Sequence, residues 1–550
     1  MLPASVDIDR EVKQRLRQRC AAAAFASGIA LASSVVAPPA RAVGCNPADF
    51  AGGSGTLGSP FRIGTAAQLQ AMNGAGCQDG AFILTADVTL TGSWTPIGSN
   101  ATPFEGRFDG AGFAVSGLSI SAASAQQGLF GVIRGAGGAN SVIRDLRIVN
   151  ASVTGTSQVG VLAGRAAFAS LSAITVSGSV NGTTQVGGVI GQLGAAFEGS
   201  TLSDSTSSVV VVASGAGTGG LVGLLISGSS ISSSSASGSV SGTTQVGGLV
   251  GEAAGGITSS SVRANVTASA GSAGGLAGTS SSTITSSSAT GSVTGAGADV
   301  GGLVGTSTGS VSEAWASGSV SAAAQANVGG LVGSFNSSGD IVRSFATGAV
   351  TGGTRVGGLV GLVTQSSLAD VYSSGSVTGA TTVGGLIGYA DVPSVGTLQR
   401  AYATGTTSAT GAPVGGLIAS GHPVTVSDSA WATDATGQAL SPGGGAARTL
   451  LQLQSATTFT GWSLSTQVDA ATTWGICPAL NQGTPFLQWY ATSHSWRCDG
   501  IASAPPPWLQ AYGRHSADDP CEPGWGSSWG LWMNGGTGGF TCVRIVRSLG

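Results

Sequence analysis

The side chains that could support hydrolysis or bind a metal ion are few and scattered in this chain. Six of the acids in its central part could act as general acids, bases or cation ligands, namely Asp204, Glu252, Asp299, Glu313, Asp340 and Asp370. Carboxylates that cleave polysaccharides, or hold a cation there, work in clusters. Aligned against the repeat described below, the six are expected to share no position. None of the three histidines has metal-ligand spacing. We therefore expect no enzyme activity, no metal site and no cofactor.

Aromatic residues are the best candidates for binding a ligand. Four of them occupy one equivalent position in successive repeats, and these are Trp315, Phe345, Tyr372 and Tyr402. Such a file either forms an external platform for sugar rings or packs into a ladder that stiffens the later turns. Three more lie near the C-terminus, namely Trp525, Trp529 and Trp532. They either present a carbohydrate-binding surface or form the core of a small module.

An internal repeat defines the elements that would position these residues. A phrase similar to Val-Gly-Gly-Leu-Val-Gly recurs ten times between Val159 and Ala419, at intervals of 27–32 residues. A fixed period of this length indicates stacked repeats. Each repeat holds three short apolar runs between Gly, Ser and Thr, without helical periodicity. We expect an all-β fold, a right-handed parallel β-helix of about ten turns. An antiparallel sandwich is the competing fold.

Two columns of apolar side chains are expected to fill the interior of this β-helix. One column contains the leucines of the repeated phrase, which are Leu249, Leu303, Leu331, Leu359, Leu386 and Leu417. The other contains the valines of a Gly-Ser-Val piece or its equivalent, which are Val180, Val240, Val293, Val320 and Val377. The paired glycines before each leucine indicate either a positive φ or a close approach of neighbouring backbone.

The repeated phrases resemble the GLUG family, which is named for Gly-Leu-hydrophobic-Gly. The sequence matches this motif at residues 248–251, 302–305, 330–333, 358–361 and 385–388. The copies that begin at Gly160 and Gly416 depart from it. The resemblance covers about half of the chain. It implies a β-helix protein of the bacterial surface or exterior. It implies no particular activity, because members include several kinds of surface and secreted proteins.

The regions outside the array are expected to direct secretion, to start the β-helix and to close its end. Residues 1–42 resemble a secretory signal, with a basic segment, an apolar segment and Ala40-Arg41-Ala42. An N-terminal membrane anchor, or a lipoprotein cut before Cys45, is the alternative. We expect a cap with irregular first turns over 43–150, the GLUG β-helix over 151–440 and a closing region over 441–500. A Pro-rich linker over 501–507 and a Trp/Cys-rich module over 508–550 complete the chain.

The cysteines indicate the compartment of the protein, and its charge indicates which partners it is expected to bind. Six cysteines lie outside the signal, in pairs that are close in sequence, namely Cys45/Cys77, Cys477/Cys498 and Cys521/Cys542. Proximity favours these pairs among the fifteen possible connectivities in an oxidising compartment. The net charge is −3 and only 8% of residues are charged, so the sequence gives no sign of a basic surface that would bind nucleic acid. No transmembrane segment is expected once the signal is removed.

These observations favour a secreted bacterial repeat protein with a structural or adhesive role. An extended polar surface of the β-helix would bind glycans or extracellular proteins. A polysaccharide lyase or hydrolase with an unmarked site is the first alternative, since parallel β-helices often carry such enzymes. A passive spacer that displays the C-terminal module is the second. Two short helices are expected outside the array. One spans 66–73 in the N-terminal region, with Thr65 as its cap, and the other spans 450–453 in the region after the array.

Overall fold

Parallel strands stack turn upon turn in the computed structural model of the chain. Residues 44–322, 327–336, 339–391, 396–422 and 424–498 are described in full, and only the backbone of strands Leu509–Ser516 and Gly539–Ile545 is described beyond them. The result is a β-solenoid of about 12 turns. The prediction of an all-β parallel solenoid is therefore confirmed, and the antiparallel sandwich is wrong.

Two of the three large sheets, those of the solenoid, are built from the repeated GLUG phrase. The 10-stranded sheet contains the strands that enter the phrase, which are Ser157–Val159, Thr184–Gly187, Ala216–Gly219, Thr244–Gly247, Ala273–Gly274, Asp299–Gly301, Asn327–Gly329, Thr354–Gly357, Thr381–Gly384 and Val414–Gly415. The 11-stranded sheet contains the strands that leave it, which are Phe130–Arg134, Ala163–Ala167, Ile190–Leu193, Val222–Leu225, Val250–Ala253, Ala277–Ser280, Val304–Ser307, Val332–Asn336, Val360–Thr364, Ile387–Asp391 and Ile418–Gly421.

The third sheet has 31 strands, because a bend divides most turns into two or three short strands. Its first strands are Phe61–Ile63, Ala81–Leu84, Arg107–Asp109, Ser141–Thr154, Ala169–Gly182, Thr201–Ser203, Ser230–Ser232, Gly256–Thr258, Ile284–Thr285, Val311–Ser312, Ile341–Ala346, Leu368–Ser373, Thr397–Ala403 and Thr425–Ser427. After the bend come Thr206–Ala213, Ser235–Ala236, Ser261–Val262, Ser288–Ala289, Trp315–Ala316, Ala430–Ala432 and Ala446–Arg448. The last group is Val88–Thr89, Ala114–Ser116, Ser119–Ser121, Ser239–Gly242, Asn265–Ala268, Val293–Gly295, Val320–Ala322, Val350–Thr351, Val377–Gly379 and Thr407–Ala409.

Helices occur only at the two ends among the described residues. The N-terminal helix spans Ala66–Ala71, shorter than the predicted 66–73, and Thr65 caps it by accepting a hydrogen bond from the Gln68 N–H at 3.3 Å. The C-terminal α-helices are Thr433–Thr436, Leu450–Leu453 and Gln488–Ser493, and the 3₁₀ turns are Pro47–Asp49, Ala456–Thr458 and Asn481–Gly483. A small sheet of Leu464–Ser465, Trp474–Gly475 and Phe486–Leu487 lies among the C-terminal ones.

The interior contains the two predicted apolar columns. Every leucine of the phrase column is fully buried, and the valines of the second column are at most 1% exposed. Val266, Val293, Val320, Val350 and Val377 are direct register partners in consecutive turns. A turn contributes at most one leucine and one valine to these columns, so each column is continuous only through the turns above and below.

Close approach of backbone, and not a positive φ, explains the paired glycines. A Cβ at Gly301 would lie 2.0 Å from the Val304 carbonyl oxygen, and one at Gly302 would lie 2.0 Å from the Gly330 carbonyl oxygen of the next turn. Neither glycine has a positive φ. The phrase therefore needs glycine because the chain folds against itself and against its neighbour without room for a methyl group.

A column of buried serines, which the repeat pattern did not predict, stabilises the bend of the third sheet. The residue at the bend adopts the left-handed conformation, as in Ser233 with φ 47° and Ser259 with φ 49°. The next residue points inward. The Ser260 Oγ accepts a hydrogen bond from the Ser234 N–H at 3.3 Å and donates one to the Thr258 carbonyl at 2.9 Å. Equivalent serines are Ser205, Ser234, Ser287, Ser344 and Ser429.

Replacing Ser260 by alanine should lower stability measurably. The substitution leaves the buried Ser234 N–H without an acceptor, which costs about 1–3 kcal/mol. Ser261, the next residue, is exposed, so Ser261→Ala provides the matched control with an effect of about 0.5 kcal/mol or less. Thermal unfolding followed by circular dichroism measures both variants. Equal melting temperatures for the two would refute the role of the column.

Candidate binding surfaces

The aromatic file (Trp315, Phe345, Tyr372 and Tyr402) forms a stack of parallel rings. Its members are register partners in consecutive turns of the third sheet. Successive ring centroids lie 5.9, 4.8 and 5.0 Å apart, with interplanar angles of 6°, 4° and 1°. The stacking follows from the solenoid, because the strand spacing of about 4.8 Å brings neighbouring rings into contact.

The C-terminal part of the chain covers this file. We call residues 433–498 the covering segment. Its Trp474 lies 6.1 Å from both Tyr372 and Tyr402, and its Tyr490 contacts Phe345 edge-on at 5.0 Å. Phe345, Tyr372 and Tyr402 are only 3%, 2% and 0% exposed. The ladder is therefore what the file forms, and an external sugar platform is wrong for these three rings. Trp315, at one end, is half-buried.

Three tryptophans fix the covering segment to the bend of the third sheet. The indole N–H of Trp489 donates to the Arg343 carbonyl at 2.9 Å, and that of Trp462 donates to the Asp428 carbonyl at 3.1 Å. Between them, the Trp474 indole donates to the Asp370 carboxylate at 2.8 Å. The bend interrupts the strand, so its polar groups are available to a side chain from outside the turn.

The bend position carries a file of alternating charge, which we call the bend file. Its members are Glu313, Arg343, Asp370, Arg400 and Asp428, all with a positive φ between 46° and 57°. Arg343 pairs with Glu313 at 3.0 Å, and Arg400 pairs with Asp370 at 2.6 Å. The expectation that the acids share no position is therefore wrong, since Asp204, Glu313 and Asp370 all occupy this bend. Turns of unequal length hide the alignment in the sequence.

Burial beneath the covering segment raises the pKa of Tyr372, and the same desolvation raises the pKa of Tyr402. An unfolded tyrosine loses its proton near pH 10, whereas both buried side chains keep theirs. Above that pH the unfolded state binds fewer protons than the folded state, so stability falls as pH rises. We expect full stability below about pH 10 and a steep loss above it. Urea unfolding at pH 8 and pH 11 measures the difference, and an equal or higher midpoint at pH 11 would contradict it.

A broad uncharged surface lies on the same sheet, beside the aromatic file. We call it the hydroxyl face, and its outward side chains are Thr290, Ser292, Thr294, Ser317, Ser319, Ser321, Thr347, Ala349, Thr351, Ser374, Ser376, Thr378, Thr404, Thr406 and Ser408. They alternate with buried Val, Ala, Gly, Ser and Thr, and all are exposed or half-buried. Neighbouring hydroxyls are about 4.8 Å apart along the stack and about 7 Å apart along a strand.

Two of the three predicted disulfides are formed, and the third involves Cys521, which lies outside the described residues. Cys45 pairs with Cys77 and Cys477 pairs with Cys498, one at each end of the solenoid. Cys521, Trp525, Trp529 and Trp532 lie outside the described residues, and so does the predicted signal. Cys542 lies on strand Gly539–Ile545, which pairs antiparallel with Leu509–Ser516. The expectations for the C-terminal module therefore stay predictions.

Comparison with known proteins matches the repeat and not the whole chain. Residues 352–378 match the GLUG motif. A protein of Evansella cellulosilytica named as a Gly-rich membrane protein is 36% identical over 19% of this chain and 13% of its own length. Halomucin of Haloquadratum walsbyi is 35% identical over 28% of this chain and 2% of its own. The chain thus spans a small part of both relatives.

The crystal structure of a Bacteroides ovatus protein named as an immunoglobulin A1 protease is 23% identical, with a TM-score of 0.36. That likeness covers 50% of this chain and 80% of that one. Within the described part of the chain, every helix is too short or too polar to cross a bilayer. Motif and structure agree on the architecture. The chain is a β-solenoid that carries the GLUG motif.

Proposed function

We propose that this chain is a secreted or surface-exposed repeat protein of the bacterial exterior, with a structural and adhesive role and without catalysis. The hydroxyl face carries the proposal. It presents exposed hydroxyl groups over five consecutive turns, and none of its side chains is charged. Such a surface suits glycans, which offer many hydroxyl groups of their own. Each hydrogen bond contributes little, so binding depends on many contacts made at once.

The arrangement of the acids supports a binding role over a hydrolytic one. The carboxylates of Glu313 and Asp370 lie in one file but are separated by the guanidinium of Arg343, and both form ion pairs. Hydrolysis by two carboxylates requires both to face one bond. The names of the two relatives, a Gly-rich membrane protein and halomucin, fit a setting at the cell surface.

Binding to an array of glycans and host proteins tests the proposal. We expect the chain to bind glycans on the array and to release no shortened saccharides from them. The double variant Thr294→Arg/Ser321→Arg places two bulky charges on the hydroxyl face and should weaken binding about tenfold or more. Thr258→Arg/Thr279→Arg puts the same charges on outward positions of other surfaces and is the matched control.

Three results would refute the proposed function. One is the absence of any glycan ligand for the wild-type chain. A second is equal binding by the two double variants, which would show that the hydroxyl face is not used. The third is the release of shortened saccharides, which would favour the polysaccharide-cleaving alternative.

A further inference from the structure

A cavity lies beside the turn that follows the last ring of the aromatic file. Tyr402 is the register partner of Ala430 in the following turn. The side chain at this position therefore shrinks from a ring to a methyl group. A cavity of about 350 Å³ opens there, lined by Ala430 and by residues of the covering segment. This volume lies within the range of protein sites for small molecules.

Aromatic and charged groups converge on this cavity. Phe459 and Trp462, whose centroids are 4.7 Å apart, form one wall. The lining also includes the carboxylate-bearing Asp428, the guanidinium-bearing Arg448 and the hydroxyl-bearing Thr458. The Trp462 indole donates to the Asp428 carbonyl at 3.1 Å, which fixes the wall against the solenoid.

The two charged side chains are not paired with each other. The Asp428 carboxylate is exposed. Within the described ranges it forms no hydrogen bond or ion pair, unlike Glu313 and Asp370 of the bend file, although its negative charge acts on Arg400 in the preceding turn. Arg448 donates only to the neighbouring Ala447 carbonyl, at 2.9 Å. A carboxylate accepts and a guanidinium donates strong hydrogen bonds. Both can therefore serve a ligand that offers several hydroxyl groups.

We propose that this cavity binds one sugar ring of a glycan. This inference rests on the glycan-binding function proposed above and adds a defined site to it. The C–H face of the sugar packs on Phe459 and Trp462. Its hydroxyl groups donate to Asp428 and accept from Arg448, so the two charges balance and the ligand is neutral.

Titration calorimetry of the full chain with N-acetylglucosamine, glucose, galactose and free phenylalanine tests this site. We expect at least one neutral sugar to bind, and Asp428→Asn to weaken its binding about tenfold. Ala430→Phe adds a ring to a residue that lines the cavity, and should weaken binding at least as much. Ser288→Phe, which extends the file at the opposite end beyond Trp315, is the matched control and should bind as the wild type does.

Several outcomes would overturn the site. One is that none of the three sugars binds. A second is that folded Asp428→Asn protein binds sugar as the wild type does. The third is that phenylalanine binds and no sugar does, which would indicate a zwitterionic ligand. The glycan array separates this failure from that of the proposed function. If the array signal of the wild type persists in Asp428→Asn and Ala430→Phe, the cavity is not the site and the hydroxyl face stands alone.

Discussion

Replacement of Gly302 by alanine should destabilise the solenoid by about 3 kcal/mol, although it adds only one methyl group. The new Cβ would lie 2.0 Å from the Gly330 carbonyl oxygen and 3.0 Å from the Ala316 Cβ. Both contacts are with rigid groups, since neither is the end of a flexible side chain. Relief therefore requires two turns to separate, which breaks the hydrogen bonds between them. The melting temperature should drop by several degrees.

Gly256→Ala provides the control for this prediction. Gly256 lies in the same array, its φ is not positive, and a Cβ there would be 3.8 Å from the nearest atom, the Thr283 Oγ1. Alanine at that position should be neutral or stabilise the fold by about 0.5 kcal/mol, because it restricts the unfolded chain. Equal stability of the Gly302→Ala and Gly256→Ala proteins would show that turns do not approach each other at the GLUG phrase.

The Trp474→Ala substitution should release the covering segment from the aromatic file. The fully buried indole contacts Tyr372, Tyr402 and Trp462, and truncation of such a ring costs about 4 kcal/mol. The substitution also removes the donor to the Asp370 carboxylate. With the segment displaced, Tyr372 and Tyr402 become hydrated. Their pKa values should then fall toward the ordinary value near 10, which ultraviolet titration of tyrosine absorbance measures.

Trp474→Phe separates packing from hydrogen bonding in this prediction. Phenylalanine keeps most of the ring contacts and loses only the donor, so a smaller loss of about 1–2 kcal/mol is expected. Limited proteolysis should cut within 433–498 rapidly in Trp474→Ala and slowly in Trp474→Phe. Unchanged tyrosine titration and unchanged proteolysis in Trp474→Ala would mean that this segment is held in place by other contacts.

The interior was predictable because it repeats. Leu303 and Val293 recur at a fixed period, and only a stack of equivalent turns brings such residues into two columns. The same phrase predicted either a positive φ or a close backbone approach at Gly302, and only the contact with Gly330 decides for the second. The buried serines did not follow, since Ser260 and Ser261 have the same side chain and only the bend between turns decides which one points inward.

The covering segment was not predictable from local pattern. Its decisive contacts join Trp489 to Arg343, which are 146 residues apart, and Trp474 to Asp370, which are 104 apart. No periodicity in the C-terminal region indicates where it packs. A signal was nevertheless present. The file of Trp315 to Tyr402 needs cover, and a region rich in tryptophan follows it in the chain.

Disulfide cross-linking between adjacent turns tests the parallel in-register stack most directly. Thr294 and Ser321 are outward register partners in neighbouring strands, close enough for a disulfide between cysteines. After mild oxidation and peptide mapping, the Thr294→Cys/Ser321→Cys protein should be almost fully cross-linked. Thr294→Cys/Thr351→Cys, with partners two turns apart at about 9.6 Å, should not be. Equal or reversed yields for the two pairs would contradict the solenoid itself.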